Sequence, residues 1–183
     1  MLQLSNSQKK LLLDIARQSV TARLAGESLD LGEAALGGFE EKFGVFVSIH
    51  KHGELRGCIG RVESDDALGV VTAECAASAA FADPRFVPLT IDELDVVTFE
   101  VSVLSPLERV EAPEAIEVGQ HGLVIEKDGR RGLLLPQVAS QYGWDRTEFL
   151  RQTSIKAGLD PDAWRSGAEL YMFRSAVFEE GAT

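Results

Sequence analysis

Apolar residues return at three- and four-residue steps near the start of the chain: Leu11, Leu12, Ile15, Ala16, Val20 and Leu24, with Lys9, Lys10, Asp14, Arg17 and Arg23 largely between them. That period turns one face of an α-helix toward a core, and it predicts an amphipathic helix over about 5–24, capped by Ser5 or Ser7 and ended by Gly26. Residues 27–38 mix glycine, leucine and acids without a period and read as a connector. The pattern then becomes strand-like. Residues 44–50 are β-branched and aromatic, Lys51-His52-Gly53-Glu54 reads as a turn, and Leu55-Arg56-Gly57-Cys58-Ile59-Gly60 follows. A two-residue turn at His52-Gly53 predicts an antiparallel hairpin in which His50 opposes Leu55 and Val47 opposes Cys58. In that register Arg56 and Cys58 share a face with Val45, Val47 and Ile49, while Leu55 and Ile59 share the other with Phe46. Both faces are partly apolar, so the hairpin is expected between two layers.

Downstream, Ser64-Asp65-Asp66 is expected to introduce a helix to about Phe81, its first turn carrying the negative charge that the helix dipole favours. Residues 83–88 are expected to be extended, because each proline biases its predecessor away from helix; Asp83-Pro84-Arg85 also reads as a local turn with an internal ion pair. A strand is predicted over 94–104, with Val97, Phe99, Val101 and Val103 on one side and Thr98, Glu100 and Ser102 on the other. Asp128-Gly129 between apolar runs predicts a second hairpin. A short helix from Pro136 to Tyr142, a helix capped by Asp145 or Thr147 and closed by Gly158, and a strand over 170–178 complete the chain. This order gives an α+β fold rather than the regular strand-helix alternation of a parallel sheet.

Composition narrows the functional classes. With 18 Lys+Arg against 29 Asp+Glu, the formal charge of −11 repels a phosphate backbone and disfavours nucleic acid as a partner. Two cysteines, Cys58 and Cys75, without a CxxC or a histidine pair at zinc-finger spacing, give no structural zinc site. No uncharged apolar run approaches the roughly 20 residues of a membrane span, and the N-terminus has no signal-peptide pattern. A cytoplasmic protein is the expectation. Neither GxxxxGK[ST] nor GxGxxG follows a strand, and only three histidines are present, without HxxE spacing and with a lone HxH, His50-Lys51-His52, at the turn, so neither cofactor nor metal is expected.

The candidate chemistry gathers at residues 55–60. Cys58 is a candidate nucleophile, with Arg56 favouring thiolate and Gly57 and Gly60 letting a ligand approach the backbone; a buried cysteine acting as a small hydrophobe is the plainer reading. Arg56 on a half-apolar strand face needs an anion, either Glu100 in a structural pair or a ligand carboxylate or phosphate. His121 can serve as acid, base or metal ligand, or as a simple hydrogen-bonding loop residue. His50 and His52 flank a turn and read as solvated. Gln137 and Trp144 are further candidates for a groove lining, with tryptophan more often core.

Five ordered motifs carry a family resemblance: residues 55–60, Phe81-Ala82-Asp83-Pro84-Arg85-Phe86, Glu100-Val101-Ser102-Val103-Leu104, Gly119-Gln120-His121-Gly122-Leu123, and residues 132–139 from Gly132 through Pro136-Gln137 to Ala139. With Trp144, Phe149-Leu150 and Lys156-Ala157-Gly158-Leu159, they make nearly the whole chain resemble the AMMECR domain family, whose prokaryotic members are named AmmeMemoRadiSam system protein A. The resemblance implies a single two-lobed α+β domain over 1–183: a larger lobe around a mainly antiparallel sheet holding both termini, and a smaller lobe within about 106–166 with its own short sheet. It implies that residues 55–60 line the interface between the lobes; joined to the residue readings above, the leading expectation is an interlobe cleft lined by Arg56, Gly57, Cys58, Gly60, Glu100, His121 and Gln137 that binds a small anionic ligand or a partner's peptide. Cys58 would react, Arg56 stabilise charge and His121 move protons. It also implies work with a Memo-like protein related to extradiol dioxygenases and with a radical S-adenosylmethionine protein, and no settled reaction. The alternative is a non-enzymatic accessory protein docking to those partners. The chain departs from many prokaryotic relatives at Ser154, where they carry cysteine, so no mechanism here can draw on a thiol at that position.

Overall fold

A computed structural model describes residues 4–32 and 43–181; of the connector expected over 27–38, residues 33–38 lie outside the described residues. The described residues divide into two compact units, Ser105–Ser175 and a larger one formed by those up to Leu104 together with those from Ala176 onward. Each carries helices on an antiparallel sheet.

In the larger unit, helix α1 (Asn6–Ala25) starts at a capping box in which Ser5 and Gln8 exchange hydrogen bonds, and ends where Gly26 takes φ 73°. Its buried face is Leu12, Ile15, Ala16 and Val20, as the period requires. Strands β1 (Gly44–Lys51) and β2 (Glu54–Arg61) form the expected hairpin, with positive φ at both His52 and Gly53. Helix α2 (Leu68–Phe81) packs on α1, β1 and β2. It begins at Leu68 and not at Ser64, because Asp66 N–H donates to Ser64 Oγ at 3.2 Å and holds 64–66 in a turn of its own. Strand β3 (Val97–Leu104) is shorter than the predicted 94–104, since a 3₁₀ turn over Ile91–Val96, opened by a Thr90–Glu93 capping box, takes the first residues. The sheet order is β2-β1-β3-β8, where β8 is Ser175–Glu179, so β2 is an edge strand. Val45, Val47, Ile49, Phe99, Val101 and Val103 form its fully buried face.

The hairpin register differs from the expected one. His50 does oppose Leu55, but Ile49 opposes Gly57, leaving Arg56 as the extra residue of a β-bulge. Every later pairing therefore moves by one: Cys58 opposes Ser48 rather than Val47 and lies on the face opposite the buried valines.

The smaller unit has the order β4-β7-β5-β6, with β4 Glu108–Arg109, β5 Gly122–Lys127, β6 Arg130–Leu134 and β7 Glu169–Phe173. Positive φ at Asp128 and Gly129 makes the second hairpin turn. Helices α3 (Pro136–Gln141) and α4 (Arg146–Lys156), the latter capped by the Asp145 carboxylate, cover a core that includes Ile116, Leu123, Ile125, Phe149 and Leu150. The single strand expected over 170–178 is two strands, β7 and β8, belonging to different sheets and separated at Arg174.

Candidate functional site

On an edge strand every second residue turns its N–H and C=O away from the sheet. At Cys58 both groups meet side chains from one turn. The Cys58 N–H donates to Asp83 Oδ2 at 2.9 Å, and Arg85 Nη2 donates to the Cys58 carbonyl at 3.1 Å. Asp83 and Arg85 are locked together by Nε to Oδ1 at 2.9 Å and Nη2 to Oδ2 at 2.6 Å. An ion pair thus imitates a neighbouring strand at one residue, offering an acceptor and a donor. The turn that presents it closes with Phe86 N–H on the Asp83 carbonyl, so residues 83–86 are not extended; the local turn and internal ion pair are present. Asp83 is only 4 % exposed. Its carboxyl lies well below the usual carboxylate range, chiefly because of the Arg85 hydrogen bonds, against burial and with help from the Cys58 N–H.

Arg56 does not pair with Glu100. Its Nε and Nη2 grip both oxygens of Glu93 at 3.1 and 2.9 Å, and its Nη1 and Nη2 reach the carbonyls of Val87 and Pro88. Lys51 Nζ adds a 2.9 Å contact to Glu93. The two side chains are only 12 % and 15 % exposed, and hydrogen bonding from Arg56, ahead of Lys51, pulls Glu93 down to about 2 against the effect of burial. The bulge residue therefore ties β2 to the 3₁₀ turn. The expected ligand role of Arg56 meets a guanidinium already bound to a carboxylate.

The two glycines have packing reasons. A Cβ on Gly57 would collide with the carbonyl oxygen of Ala79 in α2, and one on Gly60 with the Phe46 ring.

On the sheet face away from the buried valines, Cys58, Ser48 and Glu100 form one cross-strand row, from the pairings Ser48 with Cys58 and Ser48 with Glu100. The Ser48 hydroxyl donates to the Cys58 sulfur at 3.3 Å. Cys58 is half-buried, whereas Cys75 is buried; both are free thiols. Burial raises Cys75 to about 11. Desolvation raises Glu100 as well, opposed by His50 and reinforced by Glu179. His50 occupies the next rung of β1, opposite Thr98, and is half-buried rather than solvated; His52 is exposed.

His121 and Gln137 belong to the smaller unit. His121 is 6 % exposed, and its Nδ1 accepts the Glu117 N–H at 3.1 Å. That places any proton of the neutral ring on Nε2. Gln137 is exposed on α3, and Trp144 is half-buried against the core and stacks on Tyr142 at 5.0 Å. Ser154 is fully buried, its hydroxyl donating to the Leu150 carbonyl at 3.0 Å. Among the described residues no group of three or more His, Cys, Asp or Glu side chains is placed to hold a metal ion, and no helix is long and apolar enough to cross a membrane.

Arg85 is the site residue that sequence reasoning underweighted. The signal lay in the two motifs, 55–60 and 81–86, whose joint presence has a contact as its cause.

The AMMECR1 family model matches residues 13–178. A protein of Methanosarcina barkeri, Mbar_A1807, is 42 % identical over 97 % of this chain and 92 % of its own length. One from Methanothermobacter thermautotrophicus is 43 % identical over 97 % and 96 %. The crystal structure of the uncharacterised protein PH0010 from Pyrococcus horikoshii superposes with a TM-score of 0.88 at 36 % identity, covering 98 % of this chain and 95 % of that one.

Proposed function

The chain belongs to the AMMECR1 family, and from that premise we propose that it acts through Cys58, presented on the half-buried face of the larger unit's sheet to a small ligand or a partner's peptide. The observation that carries this reading is a half-buried thiol whose residue is held at three points: N–H by Asp83, C=O by Arg85 and sulfur by Ser48. A group fixed in this way is preorganised for contact, and Glu100 in the same row, with its raised carboxyl, supplies a hydrogen-bonding or proton-transferring neighbour. The Memo-like and radical S-adenosylmethionine proteins implied by the resemblance are the partners proposed to supply the ligand or peptide.

In the folded protein, iodoacetamide is expected to alkylate Cys58 and spare Cys75, read by peptide mass mapping. C58S is expected to keep the thermal midpoint while abolishing function with those partners. A Cys58 that the reagent never reaches would sink the reading.

A non-enzymatic docking role is favoured by one observation: Val87 and Ile91 are 75 % and 63 % exposed in the segment that Arg56 anchors. In that case V87D/I91D would abolish pull-down of the partners and C58S would not.

A further inference from the structure

With Arg56 bound to Glu93, the cation beside Cys58 is Arg85. Its side chain is 55 % exposed, although the Asp83 carboxylate that anchors it is 1 % exposed. Nε and Nη2 are taken by Asp83 and by the Cys58 carbonyl, and Nη1 has no hydrogen-bond partner among the described residues. The guanidinium, which lies over the Phe86 ring at 5.4 Å, is thus a fork with two nitrogens hydrogen-bonded and the third without a hydrogen-bond partner among the described residues. Asp83 keeps it from swinging away, since two hydrogen bonds to a buried carboxylate permit little rotation. Arg85 is held above the ordinary arginine range chiefly by Asp83 and to a smaller degree by Cys58.

We propose that Arg85 is the anion-recognition group of the Cys58 site and Asp83 its positioning residue, so that the ligand or peptide carries a carboxylate or similar anion next to the atom that meets the thiol. This rests on the reading of Cys58 as the presented group. A purely structural Arg85 would only cap the edge of β2, and charge separates the two roles. Because Asp83 neutralises much of the field, the attraction for an anion is modest and local.

The test compares two alkylating agents on the full chain, anionic iodoacetate and neutral iodoacetamide. In both cases the Cys58 thiolate attacks the reagent's methylene carbon and displaces iodide, so the ratio of the two rates at Cys58 reads local charge and cancels changes in thiol exposure or ionisation. R85Q is expected to lower that ratio about threefold, the size of effect one partly screened charge exerts at a few ångströms. R85K, which keeps the charge and loses the fork, should hold it within about twofold of the unaltered protein. Raising salt from 20 mM to 500 mM should lower the ratio in the unaltered protein and leave it flat in R85Q. A ratio that R85Q leaves unchanged or raises, or that R85Q and R85K lower equally, overturns the anion role and leaves the Cys58 reading standing. A Cys58 that neither reagent reaches overturns both. Should R85Q fail to fold, the salt dependence in the unaltered protein decides alone, and a flat ratio there overturns the inference.

Discussion

Arg56 and Glu93 are mutually dependent. Truncating Arg56 removes both guanidinium hydrogen bonds from a mostly buried carboxylate and leaves it only the half-exposed Lys51 as a cation, so R56A is expected to cost about 2–3 kcal/mol in urea denaturation. The same pair sets an acid limit. Glu93 lies at about 2 instead of its ordinary 4.5, so its stabilisation is complete above 4.5 and is lost as pH falls through about 2. E93Q should remove that part of the acid dependence, seen as a flatter plot of thermal midpoint against pH over this window. Glu100 has the opposite sign: its carboxyl is raised, so ionising it weakens the fold as pH rises, and E100Q should not destabilise the protein at pH 7. That Arg56 requires an acid was legible from a guanidinium on a half-apolar strand. Which acid was not, because Glu93 is 37 residues away in a 3₁₀ turn whose position no periodicity reports. Asp83 with Arg85 was legible as a local pair for the converse reason, being two residues apart; its hold on Cys58 spans 25 residues and was not.

Among the elements, α1 and both hairpin turns followed from local rules: a serine cap, a 3.6-residue period, and residues that tolerate positive φ. The register of the first hairpin did not, since one bulged residue transfers Cys58 from one face to the other and alternation cannot locate a bulge. The close approach of β2 to α2 at Gly57 is a tight spot. G57A must push the Ala79 carbonyl away and is expected to cost about 2–3 kcal/mol in urea denaturation, with m unchanged. A loss below about 0.5 kcal/mol would show that the helix can shift at little cost. The final strand divides in two although 170–178 is mostly apolar and aromatic, because its interruption, Arg174-Ser175, also fits within one continuous strand and does not mark where the chain leaves one sheet for another.

At the scale of the whole molecule, the charge of −11 should keep the protein unretained on heparin at 50 mM salt and pH 7, and retention there would revive a polyanion partner. Family membership, the α+β class, the positions of both hairpin turns and of α1, and the acidic character are written in the amino acids themselves, because each depends on motif order, local backbone preference or composition. The long-range partners of its charged residues follow from the folded arrangement alone. Arg56, a lone cation on a half-apolar strand, anchors a turn through Glu93; Arg85, in a local turn with Asp83, reaches Cys58. The physical reason is range: propensity and periodicity act over a few residues, while an ion pair depends on where the fold brings side chains tens of residues apart.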